Sequence, residues 1–456
     1  MGRKYCRGWT RKSVRFAITL NLAAVLLNGC ASDHIHSAKV PPPPSPHSIV
    51  GEFETLEGVT ARDLLPPELF EGEDYQILNE VTPHGLTYRF TIDSPYGRFQ
   101  PSGEDMLRIR LREILALKEA QDISQPAAFG LGIAHTVLSP LKFVWDLITD
   151  PKETTLGVPK GMWRTMTRIA EMVVGERGEF EESEGEELVG FSMVRRSVAD
   201  YLGIDSYSSN DRLQTAIEKV ALAGYAGGMG SRLAMMPITG PAGFALMGTS
   251  FGATMNDMLR QNAPEDLRRM NRELLEEIKV DENLIEKFLS HPWYSPRHET
   301  ILVQALVAME GARNREGFIR VALHADSEEE ALFFQRLAEM MVNYHHTVVP
   351  LDTLIIIEDR LILGYTDDAA LVATVPVFRL PWTRDVALAA EAVLQEASSQ
   401  GRVGRLELWL TGEATSRARM ELESRGFMIH EGAFLRLLGP LMEEASGHNG
   451  RGVSRY

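Results

Sequence analysis

The feature that most restricts folding in this chain is a run of four prolines, Pro41-Pro42-Pro43-Pro44, closed by Ser45-Pro46. Proline fixes its own φ and has no amide proton, so such a run enters neither a helix interior nor a central strand. It extends instead, at about 3.1 Å per residue. A folded body must therefore begin beyond it, and the chain on its two sides differs in kind.

On the near side, residues 1–16 carry Arg3, Lys4, Arg7, Arg11, Lys12 and Arg15 with no acid. Phe16 to Leu27 is then apolar apart from Thr19 and Asn21. At about a dozen residues, that stretch is shorter than the ~20 a spanning helix needs. A basic segment, a short apolar segment and a small-residue cleavage site describe a secretory signal peptide over residues 1–29. Leu27-Asn28-Gly29-Cys30 resembles the lipobox of bacterial lipoprotein precursors. The resemblance implies signal cleavage between Gly29 and Cys30, and lipidation of Cys30. Thr10-Arg11-Lys12-Ser13-Val14 has Lys12 where a twin-arginine signal has its second arginine, which favours Sec export. By analogy with Gram-negative lipoproteins, Ala31 in place of an aspartate favours the outer membrane, facing the periplasm.

Cleavage would leave 427 of the 456 residues. Six positive charges and no negative ones would leave with the leader, taking the formal net charge from −16 to −22. Such acidity argues against bulk electrostatic binding of nucleic acid. Only two cysteines are present, too few for a disulfide scaffold or a paired-cysteine zinc site. Cys6 would be removed and Cys30 modified, so stability must come from the hydrophobic core.

The spacing of apolar residues predicts an α+β, multidomain body: a small N-terminal α+β module, a mostly helical middle and a C-terminal α/β domain. Residues 30–49 form the lipidated cysteine and proline-rich tether. Residues 50–125 form the small module, with Leu86, Tyr88, Phe90 and Ile92 on one strand face, a turn at Ser94-Pro95-Tyr96-Gly97 and a helix over 104–121. Residues 126–187 are a Gly/Pro-punctuated amphipathic segment followed by an acidic linker, with seven glutamates between Glu176 and Glu187. Trp145 and Trp163 beside Lys142, Lys160 and Arg164 suit either a membrane interface or core packing.

Residues 188–312 read as a helical domain, with helices over 211–223, 264–280, 283–290 and 296–310. It contains an unusual stretch, 219–259, with eight glycines from Gly224 to Gly252 and six methionines. This reads as a tightly packed hairpin or as an apolar surface for a partner or lipid. Residues 313–440 read as the α/β domain: a helix capped by Ser327, strands at 354–357, 361–365, 370–375 and 406–410, helices at 384–397 and 414–424, and a last strand at 427–431. Residues 441–456 form a tail.

Candidate chemistry is sparse. Gly248-Thr249-Ser250-Phe251-Gly252 matches the G-x-S-x-G nucleophile elbow, in which glycines permit a sharp turn that exposes a serine hydroxyl. A base would then come from His345 or His346, oriented by Asp352 or Asp326. Against this stand the glycine richness of the region, which produces the pattern by composition, and the lack of preceding hydrophobic strands. His345-His346 at a helix end is also explained by the helix dipole alone. His291 to His298 reads as a rigid corner or a pocket wall. Thr411-Gly412 reads as a tight strand-to-helix turn or a ligand site.

No Walker loop, dinucleotide fingerprint or HExxH occurs: His298-Glu299 continues as Thr300-Ile301-Leu302. No metal site and no cofactor are expected. The sequence thus points to a lipid-anchored envelope protein that binds or scaffolds, its partners being the membrane through the anchor and an envelope protein. The alternative is an anchored serine esterase using Ser250.

Overall fold

Turn-forming residues stop every strand of residues 71–99 after two or three positions. The computed structural model describes residues 53–123, 186–226, 258–401 and 403–437. The signal peptide, Cys30, the proline run, residues 126–185, Ser250 with its flanking glycines, and the tail lie outside the described residues.

In the N-terminal module, β1 (Glu71–Gly72), β2 (Tyr75–Ile77), β5 (Ile92–Ser94) and β6 (Gly97–Phe99) form one antiparallel sheet, while β3 (Thr82–His84) and β4 (Thr87–Arg89) form a separate hairpin. The single strand expected across residues 86–92 is thus divided between two sheets. Its alternation survives the break: Tyr88, Phe90 and Ile92 are buried together in the module core. The turn at 94–97 is present, with Gly97 at φ +123° and Ser94 Oγ donating to the Gly97 carbonyl at 2.8 Å. A side chain at that φ would be strained.

Helix α2 (Glu104–Ile123) serves two cores. Leu107, Leu111 and Ile114 join the module core. Ala116, Leu117 and Ala120 instead pack with α3 (Glu186–Tyr201) and α4 (Asp211–Ala226). Twenty residues rise about 30 Å, enough length for both tasks.

Helices α5 (Pro264–Glu277), α6 (Glu282–Leu289), α7 (Pro296–Ala308) and α8 (Arg315–Ala322) follow. Their starts obey capping chemistry. Asp281 accepts from the Asn283 amide at 3.0 Å. Ser295 accepts from the His298 amide, the His298 ring reciprocates at the Ser295 amide, and Pro296 occupies the first helical position. Every residue of α7 from Arg297 to Ala308 is buried, so this helix is hydrophobic on most sides because it is surrounded. In α9 (Glu328–Thr347), Ser327 caps the Glu330 amide, while the Glu330 carboxylate turns to the Asp326 amide rather than closing a capping box on Ser327.

The C-terminal strands β7 (Leu351–Ile357), β8 (Leu361–Thr366), β9 (Ala370–Val375), β11 (Arg405–Leu410) and β13 (Phe427–His430) form one sheet in the order β13-β11-β9-β8-β7. The β7-β8-β9 part is antiparallel; β9, β11 and β13 are parallel. Helix α10 (Arg384–Gln400) crosses from β9 to β11, and α11 (Ser416–Ser424) crosses from β11 to β13. Both are capped by threonine, Thr383 and Thr415, and Gly401 and Gly426 take positive φ just past their ends. Period-two alternation divides β11 between two cores. Leu406, Leu408 and Leu410 face α10 and α11, whereas Trp409 joins a core with α5 through α9. The helices after 258 and one sheet face thus share a core that runs across position 312, where the sequence places a boundary. The observed fold is multidomain α+β.

Polar ties join these parts. Arg110 of α2 bonds Glu113 at 2.9 Å, Ser209 at 2.8 Å and Glu328 of α9 at 2.8 Å. Glu54, at the start of the described chain, donates its amide to Trp382 and accepts from the Trp382 amide and the Thr415 hydroxyl, both at 2.6 Å.

Candidate functional site

Ser250 lies outside the described residues, so only its proposed partners can be placed. His345 is buried at the end of α9, and its Nδ1 accepts a hydrogen bond from the Leu351 amide at 2.9 Å. An amide can only donate, so neutral His345 must carry its proton on Nε2. Burial, with His346 and Arg315 nearby, pushes its pKa down to about 4. A catalytic base needs the opposite tautomer, with Nδ1–H held by a carboxylate and Nε2 free to take a proton. His346 bonds the Ala308 carbonyl, and its Nε2 is buried without a partner. The two rings meet edge to face at 5.1 Å. The Asp352 carboxylate pairs with Arg313, not with either histidine. The structure therefore brings His345 and His346 together and leaves Asp352 engaged elsewhere.

Gly412 has a different task from ligand binding. A Cβ there would fall 1.7 Å from the Phe378 carbonyl oxygen, so only glycine fits. That approach lets the Gly412 amide reach the Val377 carbonyl at 3.0 Å and the Glu413 amide reach Phe378 at 2.9 Å. The crossover segment 377–379 is thereby strapped across the end of β11, with Phe378 and Arg379 exposed.

Beside this strap the fold leaves a cleft. Its floor and walls come from the N-terminal module, through Leu64, Leu65, Thr87, Tyr88 and Glu104, and its rim from Val377, Phe378 and Arg379. Only about 20 Å³ of the cleft admits the centre of a water-sized sphere, room for one or two waters rather than for a ligand. Glu104 is the first residue of α2 and is 9% exposed. Its Oε1 accepts from Arg108 Nε at 3.1 Å, while Oε2 is buried with no hydrogen-bond partner. Burial pushes its pKa up to about 7; the Asp105 charge adds to the rise and Arg108 opposes it. The carboxyl is thus poised to exchange a proton near neutrality, inside a mostly apolar cleft.

A second buried carboxylate behaves differently. Glu407 lies on the β11 face that meets α9 and accepts from Arg405 Nε at 2.6 Å, Trp409 Nε1 at 2.9 Å and the Tyr344 hydroxyl at 3.0 Å. Burial raises its pKa, but these three donors together outweigh it and hold the carboxyl below its ordinary value. His430 stacks on Trp409 at 4.0 Å, and Arg436 lies over the same indole.

Sequence reasoning missed both carboxylates. Glu104 reads as an ordinary acidic first-turn residue, and strand alternation places Glu407 beside Trp409 without saying what covers that face. Among the described residues, no group of three or more His, Cys, Asp and Glu side chains is arranged to hold a metal ion. No helix among them is long and apolar enough to cross a membrane. No family model, curated protein or solved structure matches the chain.

Proposed function

We propose that the chain is a bacterial envelope lipoprotein, anchored through Cys30, whose folded body binds or scaffolds rather than catalyses. The anchor rests on the basic leader, its apolar run and Leu27-Asn28-Gly29-Cys30. The observation that carries the non-catalytic reading is the Leu351 amide on His345 Nδ1. It fixes the tautomer that cannot take a proton from serine at Nε2. Asp352 is paired to Arg313 and so does not orient either histidine, and His346 Nε2 is buried rather than presented to a substrate. Arg110 and Glu54 tie the N-terminal module to the C-terminal part, which suits a body that presents surfaces of both to a partner.

Two measurements test this. Cys30→Ser should abolish labelling by a fatty-acid probe and move the protein from the membrane to the soluble fraction; unchanged membrane retention would sink the anchor. A fluorophosphonate probe should leave Ser250 unlabelled in wild type, and labelling that disappears in Ser250→Ala would establish the esterase instead.

A further inference from the structure

We propose that the cleft at Glu104 is a proton-gated joint: protonated Glu104 keeps the N-terminal module closed against the strap 377–379, and ionised Glu104 loosens that seam. The placement supports this. The cleft is built from both sides of the joint, and inside it one oxygen of Glu104 has no partner. Its walls are largely Leu64, Leu65, Leu86, Phe90 and Val377. A neutral carboxyl can sit beside such surfaces with one unmet bond, but a carboxylate there must be hydrated or paired.

The charged and titratable groups around it are few. On its own helix are Asp105 and Arg108; from β4 comes Tyr88; from the strap comes Arg379. Arg379 in turn acts on Asp63 of the one-turn helix Ala61–Leu64 and on Tyr88, which also feels Glu54. Arg108 already engages one oxygen and still leaves the carboxyl titrating near 7. Arg379 is exposed at the mouth and acts on Asp63 and Tyr88 rather than on Glu104, so an ionised Glu104 is left to draw in water, which parts the seam.

Native-state hydrogen exchange tests this. Protection factors, corrected for base catalysis, are measured from pH 6 to 8 for amides in 86–90 and 377–380, with β9 as internal reference. A carboxyl titrating near 7 when closed and near 4.5 when open predicts about a tenfold loss of protection in the two segments and none in β9. In Glu104→Gln, protection should be high and flat with pH. Carboxyl-carbon NMR of the wild type reads the same event without substitution, and a Glu104 midpoint near 4.5 would overturn the proposal. So would pH-independent protection in the wild type, or an unchanged pH dependence in Glu104→Gln.

Discussion

Glu104 and Glu407 are both carboxyls with little exposure, yet one is driven towards the neutral form and the other held as an anion. The difference lies in the donors each can reach. Glu407 meets a guanidinium, an indole and a phenol on a rigid sheet face; Glu104 meets only Arg108 and has an oxygen left over. Depth also counts. Glu113 has Arg110, Ser208 and Asn210 around it, but at 1% exposure its pKa still stays above the ordinary value. Glu299 is fully buried, with Arg268 no nearer than 3.5 Å and both oxygens without a hydrogen bond, and it is pushed up to about 8. Burial sets the cost of charge, and the local donors decide how much of it is offset.

The largest effect is expected at Glu407. Glu407→Ala strands the Trp409 and Tyr344 donors and leaves Arg405 with Asp368 alone. It should destabilise the protein by about 3–5 kcal/mol in urea unfolding. A loss below 1 kcal/mol would mean that the three donors do not matter.

Glu104→Gln should do the reverse. The folded pKa lies above the unfolded one, so the wild-type contribution is fully present below about 4.5 and lost as pH rises through about 7. The variant should therefore be more stable than wild type by up to about 3 kcal/mol at pH 8. At pH 4 the two should be equal, and comparing melting at both values checks the sign.

Tyr344→Phe removes one donor from Glu407. It should cost about 1 kcal/mol and raise the Glu407 midpoint, which carboxyl NMR would follow. Smallest is Asp105→Asn. Loss of that neighbouring charge should lower the Glu104 midpoint by less than about half a pH unit, and a rise would reverse the assigned cause.

Much of the fold was legible because local signals agreed with one another. Strands 361–366 and 370–375 and helix 384–400 match their expected spans closely, since alternation, threonine caps and glycine stops point the same way. The module was harder. Nothing local tells the chain to divide 86–92 between two sheets, because that break depends on pairing with β2 and β3. The two-residue strands β10 (Arg379–Leu380) and β12 (Glu413–Ala414) arise only because Gly412 brings two distant segments together. The candidate site was not legible at all. It depends on which side chains meet Glu104 from 377–379, a separation of more than 270 positions that no window spans.

The Glu54 clamp has a mechanical consequence. A pull applied ahead of residue 53 reaches Glu54 before it reaches any strand of the N-terminal module. Its side chain is held by Trp382 and Thr415, so the load passes first into the C-terminal sheet domain. Three hydrogen bonds, including that from the Glu54 amide to the Trp382 carbonyl, act there as a strain relief. Under tension they should rupture first, and until they do the N-terminal module carries no force.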